Sequence, residues 1–168
     1  LADIDQDGSP EILAPRIGGA LAAFEHDGTL KWEIPTSRAN NYHGATVADL
    51  DADGSPEIVW NGAVYDNDGQ LKWKAGSGYI GGRTSHGGFG VAVDLDLDGN
   101  QEVLFGASAY TASGRLLWKN ETIGDAFTGV ANFDADLAPE IILVGNGSVT
   151  LLDTDGTVVW KTSIPGGG

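Results

Sequence analysis

A motif of closely spaced acidic residues recurs along this chain and constrains its fold more than any other feature. In the stretch from Asp49 to Glu57, carboxylates stand at the first, third, fifth and ninth positions, and Gly54 stands at the sixth. Oxygen ligands at this spacing, completed by the backbone carbonyl of the seventh residue, suit Ca²⁺, and the glycine allows the sharp turn. The motif therefore predicts a loop that wraps around a cation.

Three complete copies of this loop and one degenerate copy follow one another, and we number them loops 1 to 4 in chain order. In loop 4 the first ligand is a neutral asparagine, and Leu137 stands where glycine is expected, so we expect Leu137 to adopt a glycine-like backbone conformation. The sequence predicts three calcium sites and a weaker fourth. The candidate ligands are Asp3, Asp5, Asp7, Ser9 and Glu11 in loop 1, Asp49, Asp51, Asp53, Ser55 and Glu57 in loop 2, Asp94, Asp96, Asp98, Asn100 and Glu102 in loop 3, and Asn132, Asp134, Asp136, Ala138 and Glu140 in loop 4.

Two other interpretations fit parts of the loop pattern. The EF-hand begins with the same acidic spacing but requires a bidentate glutamate at the twelfth position and flanking helices. Exposed turns capped by aspartate side chains would need no ion, although three complete copies favour metal binding. The twelfth residues here cannot bind a metal and lie in predicted strands: Ala14, Trp60, Phe105 and Leu143.

The loops recur at spacings of 46, 45 and 38 residues, which is the period of a propeller blade. Each unit also contains a hairpin signal in which tryptophan follows the turn glycine by four residues, at Trp32, Trp73, Trp118 and Trp160. Each unit therefore reads as a strand, the carboxylate loop, a second strand, a turn, a third strand, the hairpin and a fourth strand. This order predicts a four-stranded antiparallel blade with almost no helix.

The predicted fold class is all-β, a β-propeller segment that occupies residues 1–168 as one domain. Its blades are expected at about residues 1–34, 44–74, 86–119 and 127–162. Because the chain starts at a carboxylate loop and stops in a linker, we expect about four blades of a larger propeller with seven or eight. A self-closed four-bladed ring is the alternative.

The aromatic residues and the linkers are candidate ligand-binding features. The hairpin tryptophans are expected to pack between blades, with carbohydrate stacking as the alternative, and Trp60 is expected in a core strand. The Gly-rich linker from Ala75 to Gly88 contains Arg83 and His86. Loops at one end of a propeller commonly bind ligands, but glycine is also needed where the chain crosses between blades.

Composition excludes several classes of function. The net charge of −15 opposes binding to nucleic acid or to an anionic membrane, and the chain has no cysteine for disulfides or thiolate chemistry. The three histidines do not form a zinc pattern, and no nucleophile elbow or phosphate loop is present. Outside the four loops we find no paired acid–base carboxylates. We therefore expect no enzymatic activity in this segment.

The stretches from Val47 to Val59 and from Phe89 to Gly99 resemble FG-GAP or VCBS-type repeats, as in integrin α-subunit propellers and bacterial extracellular relatives. The resemblance implies Ca²⁺ in the blade loops, an extracellular location and a binding role. One departure is glutamate at the ninth position, where aspartate is commoner. The hairpins are also similar to those of quinoprotein propellers, but no quinone-binding constellation accompanies them.

The sequence thus favours a calcium-binding extracellular, cell-surface or periplasmic propeller module that acts in adhesion. A protein or carbohydrate ligand would bind its inter-blade loops, the remaining blades of the parent chain would be its neighbours, and Ca²⁺ would be structural. One alternative is the propeller scaffold of a polysaccharide lyase or another secreted enzyme. Another is a purely structural component of a surface assembly.

Overall fold

The computed structural model describes residues 1–16, 20–35, 44–76, 89–124 and 126–166. Within these ranges every regular element is a strand, which confirms the all-β prediction. In the same ranges no helix has the length and apolar character needed to cross a membrane. The strands are β1 Ile12–Arg16, β2 Ala20–Phe24, β3 Leu30–Pro35, β4 Thr46–Ala48, β5 Glu57–Trp60, β6 Ala63–Tyr65, β7 Leu71–Lys74, β8 Gly90–Val93, β9 Glu102–Phe105, β10 Ser108–Tyr110, β11 Leu116–Lys119, β12 Phe127–Ala131, β13 Glu140–Gly145, β14 Ser148–Leu152 and β15 Val158–Ser163.

The strands form four antiparallel sheets in which neighbours along the chain are neighbours in the sheet. Sheet 1 contains β1–β3, sheet 2 contains β4–β7, sheet 3 contains β8–β11 and sheet 4 contains β12–β15. In sheet 1 an isolated antiparallel bridge between Ala2 and Glu11 stands where the other sheets have a first strand. The predicted four-stranded meander is thus the repeating unit of the fold.

Two connections of each sheet lie at one end and one connection lies at the other. The carboxylate loop joins the first strand to the second, and the glycine hairpin joins the third to the fourth, so both lie at the same end. At the opposite end of sheet 2, Asn61 and Gly62 have φ values of 53° and 73°. Asn-Gly with two positive φ angles is typical of a tight two-residue hairpin. The topology therefore places the hairpin beside the acidic loop.

The hydrophobic core lies between the sheets as three separate clusters. One joins sheet 1 to sheet 2, another joins sheet 2 to sheet 3, and the third joins sheet 3 to sheet 4. In the described ranges no such cluster joins sheet 4 back to sheet 1, as expected for part of a larger propeller. Trp60 is fully buried in the first cluster, which confirms its expected place in a core strand.

Each hairpin tryptophan of the first three sheets contacts the hairpin of the next sheet. The indole Nε1 atoms of Trp32, Trp73 and Trp118 donate to backbone carbonyls at 3.0, 2.8 and 2.8 Å, and the three acceptors belong to Asn67, Ala112 and Thr154. Each indole also covers the turn glycine of that hairpin. These three tryptophans therefore act in packing between blades. The fourth, Trp160 in the last sheet, is 42% exposed.

Most of the linker from Ala75 to Gly88, including Arg83 and His86, lies outside the described residues, as do the first residues of the blade expected at 86–119. Their proposed ligand-binding role stays a prediction.

Replacing Gly114 with alanine should destabilise the fold through the contact between sheets 2 and 3. Gly114 has φ +85°, and a Cβ added there would lie 2.6 Å from the Trp73 ring. Gly28 has φ +87° but nothing within 4 Å of an added Cβ, so Gly28→Ala is a control for the backbone strain alone. In urea unfolding, Gly114→Ala should lose about 1–3 kcal/mol more than Gly28→Ala. Equal losses would contradict this packing.

Candidate metal centre

The first three carboxylate loops share one backbone path, and the hydrogen bonds of loop 3 define it. Asp94 Oδ2 accepts a hydrogen bond from the Gly99 amide at 3.0 Å, and Asp98 Oδ1 accepts one from the Asn100 amide at 2.7 Å. Leu97 and Gly99 have φ values of 61° and 96°. Loops 1 and 2 repeat both hydrogen bonds and both positive φ angles. The glycine is therefore required by the turn, as the sequence predicted.

The ninth residue of every loop is a buried glutamate that binds the backbone of its own loop. Glu102 is 4% exposed, and its Oε2 accepts a hydrogen bond from the amide of Leu95, the second residue of the loop, at 2.9 Å. The same bond recurs in the other three loops. One oxygen of each of these glutamates is therefore hydrogen-bonded to the loop backbone.

The second residue of the loop inserts its side chain into the core between its own sheet and the next. Ile4, Leu50 and Leu95 are 0%, 1% and 3% exposed, and each belongs to a different one of the three clusters. Phe133, at the same position of loop 4, is 52% exposed. Because its amide is held by the buried glutamate, this residue couples the shape of each carboxylate loop to the packing between blades.

In all four loops carboxylate oxygens converge closely enough to hold an ion, with one oxygen from each of three acids lying within 4.8 Å of the others. Loop 2 differs from the rest because Glu57 is not in its group. The seventh residues, Ser9, Ser55, Asn100 and Ala138, donate their amides to the fifth residue. The converging acids are Asp3, Asp5 and Glu11, then Asp49, Asp51 and Asp53, then Asp94, Asp96 and Glu102, and finally Asp134, Asp136 and Glu140.

Two carboxylate oxygens of loop 1 are buried without a hydrogen-bond partner. They are Oδ1 of Asp3 and Oε1 of Glu11, and Glu11 is 0% exposed. Burying an ionised carboxylate oxygen is costly unless a cation or a donor faces it. Hard oxygen donors of this kind are those that Ca²⁺ prefers. The residues of loop 1 therefore fit a calcium ion.

Two lysines that the sequence pattern did not single out face the carboxylate loops. Lys31 Nζ lies 2.5 Å from Asp5 Oδ2 and 2.8 Å from Glu25 Oε1. Lys72 Nζ lies 2.7 Å from Glu57 Oε1 and 3.4 Å from Asp51 Oδ2. These hydrogen bonds raise the pKa of both ammonium groups and keep them charged. The sequence does carry a signal for these contacts, because lysine immediately precedes the hairpin tryptophan in two of the four repeats.

Loop 3 has an apolar residue in the equivalent place, Leu117. Burial raises the pKa of Glu102, and repulsion by Asp96, Asp98 and Asp94 adds to this effect, while the hydrogen bond from the Leu95 amide opposes it. Burial, with added repulsion from the neighbouring acids, therefore disfavours the charge on Glu102, and an added positive charge would offset this effect.

Loop 4 is built differently from the others, and the expectation for Leu137 was wrong. Leu137 does not have a positive φ angle and is 84% exposed. Asn132 Nδ2 donates to the Asp136 carbonyl at 2.5 Å, whereas the first aspartate of the other loops accepts from the glycine amide. A Cβ makes the left-handed conformation costly, so the chain turns by another route. The ligand role of loop 4 stays a prediction.

Two replacements of Glu102 should separate its backbone role from its charge. In chelator, Glu102→Gln should be at least as stable as the wild type, because it keeps an acceptor for the Leu95 amide and removes a buried charge. Glu102→Ala leaves that amide without an acceptor and should be about 1–3 kcal/mol less stable than Glu102→Gln in urea unfolding. Equal stability of the two variants would contradict the backbone role.

Comparisons with known proteins agree with this architecture. Residues 3–60 match the model of an FG-GAP-like repeat. The crystal structure of the V. cholerae biofilm matrix protein Bap1 is similar with a TM-score of 0.77 and 26% identity, over 96% of this chain and 27% of that chain. The rhamnogalacturonan lyase YesW is similar in fold, with a TM-score of 0.66 and 21% identity, over 92% of this chain and 29% of that chain. No curated protein matched the sequence.

The chain thus spans less than a third of the length of either solved relative. The resemblance to FG-GAP repeats that the acidic motifs indicated is confirmed by the match of residues 3–60, which contain loops 1 and 2, to an FG-GAP-like repeat.

Proposed function

We propose that this chain is a calcium-binding segment of an extracellular propeller, and that the ions stabilise the blades while the protein binds a protein or carbohydrate partner. The observation that carries the calcium proposal is the pair of buried, unpartnered oxygens on Asp3 and Glu11. The converging acids in the other loops support it. A bound Ca²⁺ would supply the positive charge that these oxygens lack.

Calcium in these loops would act on stability through the packing between blades. Ile4, Leu50 and Leu95 are buried between sheets and belong to the carboxylate loops themselves. An ion that holds the loop acids together would therefore also hold these side chains in the core. Because ions would bind only the folded loops, they would shift the folding equilibrium by mass action.

Similarity to Bap1 supports an extracellular binding role, since that protein is described as a biofilm matrix protein. The net charge of −15 favours partners that do not carry an extended anionic backbone. Adhesion through a protein or a glycan is therefore the function that we favour. Binding of immobilised glycans and of matrix proteins, measured in calcium and in chelator, tests it; absence of any ligand would favour a structural spacer.

A second candidate is the scaffold of a secreted polysaccharide lyase, supported by the fold of YesW, which covers 92% of this chain. Incubating the protein with rhamnogalacturonan and other acidic polysaccharides, and following unsaturated products by ultraviolet absorbance, distinguishes the two. We expect no product from this chain, because outside the carboxylate loops its sequence shows no acid–base pair.

Removal of calcium should lower the melting temperature of the protein. One site filled at a hundred times its Kd adds about 2.7 kcal/mol, and in a domain of this size each kcal/mol is worth about 2–4 °C. Excess EDTA should therefore lower the melting temperature by at least about 5 °C relative to millimolar CaCl₂. Magnesium at the same ionic strength is the control for charge screening.

A charge-matched pair of variants tests whether the shift arises in the loops. Asp3→Asn removes a loop acid and should reduce the calcium-dependent part of the melting temperature. Asp68→Asn removes an exposed acid of a hairpin and should leave that part unchanged. A melting curve of the wild type that does not respond to EDTA would contradict the calcium proposal.

A further inference from the structure

A β-bulge lies on the last strand of every sheet, directly before the hairpin tryptophan. In sheet 2, Val64 pairs with Trp73 and Tyr65 pairs with Leu71, so that Lys72 is left between two paired residues. The other three sheets have the same shift in register. A bulge redirects the side chain of its extra residue. The four bulge residues are Lys31, Lys72, Leu117 and Val159.

In sheet 2 the bulge residue neutralises loop 2. Lys72 Nζ contacts Glu57 Oε1 at 2.7 Å and Asp51 Oδ2 at 3.4 Å, and Glu57 is 3% exposed. The other oxygen of Glu57 accepts the amide of Leu50. Both oxygens of this buried carboxylate therefore have donors from the protein itself. The acids of loop 2 that converge for an ion are accordingly Asp49, Asp51 and Asp53, without Glu57.

In sheet 3 the same place is apolar. Leu117 stands at the bulge, and among the described residues no lysine or arginine lies within 4.0 Å of a carboxylate of loop 3. Arg115 and Lys72 line a cavity of about 500 Å³ beside this loop, but neither forms an ion pair with it. Glu102 converges with Asp94 and Asp96. Glu102 of loop 3 is thus available to an ion, whereas the equivalent Glu57 of loop 2 is paired with an ammonium group.

Loop 1 is intermediate between loops 2 and 3 in its contacts with lysine. Lys31 binds Asp5, but its second partner is Glu25, which lies outside the loop. Glu11 keeps a buried oxygen without a partner. The bulge residue of sheet 1 is therefore a lysine, as in sheet 2, but this lysine does not form an ion pair with the ninth residue of its loop.

We propose that the bulge residue sets how strongly each carboxylate loop binds a divalent cation, so that loop 3 is the tightest site and Lys72 serves as the built-in counter-cation of loop 2. The inference rests on the proposed calcium function. An ammonium group beside the acids repels a divalent ion, and it occupies the one buried carboxylate that would otherwise face that ion. Loop 2 would then hold its shape without metal, whereas loop 3 would depend on the ion.

Exchange of the two bulge residues tests this proposal. Calcium binding to Lys72→Leu, Leu117→Lys and the wild type is measured by isothermal titration calorimetry, together with melting in EDTA. Leu117→Lys should raise the calcium Kd of the tightest class of site by at least about tenfold. Lys72→Leu should lower, by a similar factor, the calcium Kd of the weakest class of site that the wild type fills. In EDTA, Lys72→Leu should melt at a lower temperature than the wild type, because Glu57 loses its partner.

Two further variants control for charge and folding. Lys74→Leu removes a lysine of the same strand that makes no ion pair with a described carboxylate, and it should change neither calcium affinity nor melting in EDTA. Lys72→Arg keeps the positive charge, so its calcium affinity should lie closer to that of the wild type than the affinity of Lys72→Leu does. If Lys72→Leu does not fold, Leu117→Lys still tests the proposal on its own.

The outcomes separate this proposal from the calcium function. Calcium binding that is unchanged by Leu117→Lys and by a folded Lys72→Leu would overturn the role of the bulge residue and leave the calcium function intact. A wild type that binds no calcium would overturn both. In that case a loss of melting temperature in Lys72→Leu would show only that the lysine is a structural ion pair.

Discussion

The hydrogen bond that the backbone amide of the second loop residue donates to the buried glutamate is the interaction on which this structure depends. It recurs in all four loops, and in loops 1 to 3 the residue whose amide it holds is buried between two sheets. Without it, a buried amide would lack an acceptor and the side chain beside it would lose its fixed place in the core. The fold therefore brings a charged group into the centre of its packing.

This arrangement relates the acidic composition of the chain to its fold. A glutamate can hold a buried amide at low cost only if its own charge is balanced. Each loop adds further acids around it, and the net charge of the chain is −15. Lys72 balances the charge of Glu57, while Glu102 has no such partner within the described residues. If the proposed ions bind, blade packing and cation binding are linked, because an ion or a lysine would balance the charge of the buried glutamate.

The sequence was sufficient for the repeat, the antiparallel blades and the packing role of the hairpin tryptophans, because each follows from local spacing. Three acids of each loop converge, but Asp7, Glu57 and Asp98 lie outside the converging groups, and the ligand roles stay predictions. The sequence missed Lys72 because the contact depends on a bulge in the fourth strand, and a one-residue shift in register has no mark in the hydrophobic pattern. The error at Leu137 has a similar origin, since replacing glycine changed the path of the turn rather than straining the same path.

Locating the ions directly tests the central claim that the carboxylate loops hold the blades together around divalent cations. Crystals of the protein grown in calcium can be measured at a wavelength where calcium scatters anomalously, and the anomalous difference map shows each site independently of stability. We predict peaks among the acids of loops 1 and 3, with the peak of loop 3 at least as strong as any other. A well-phased map without a peak in any of the four loops would contradict the claim.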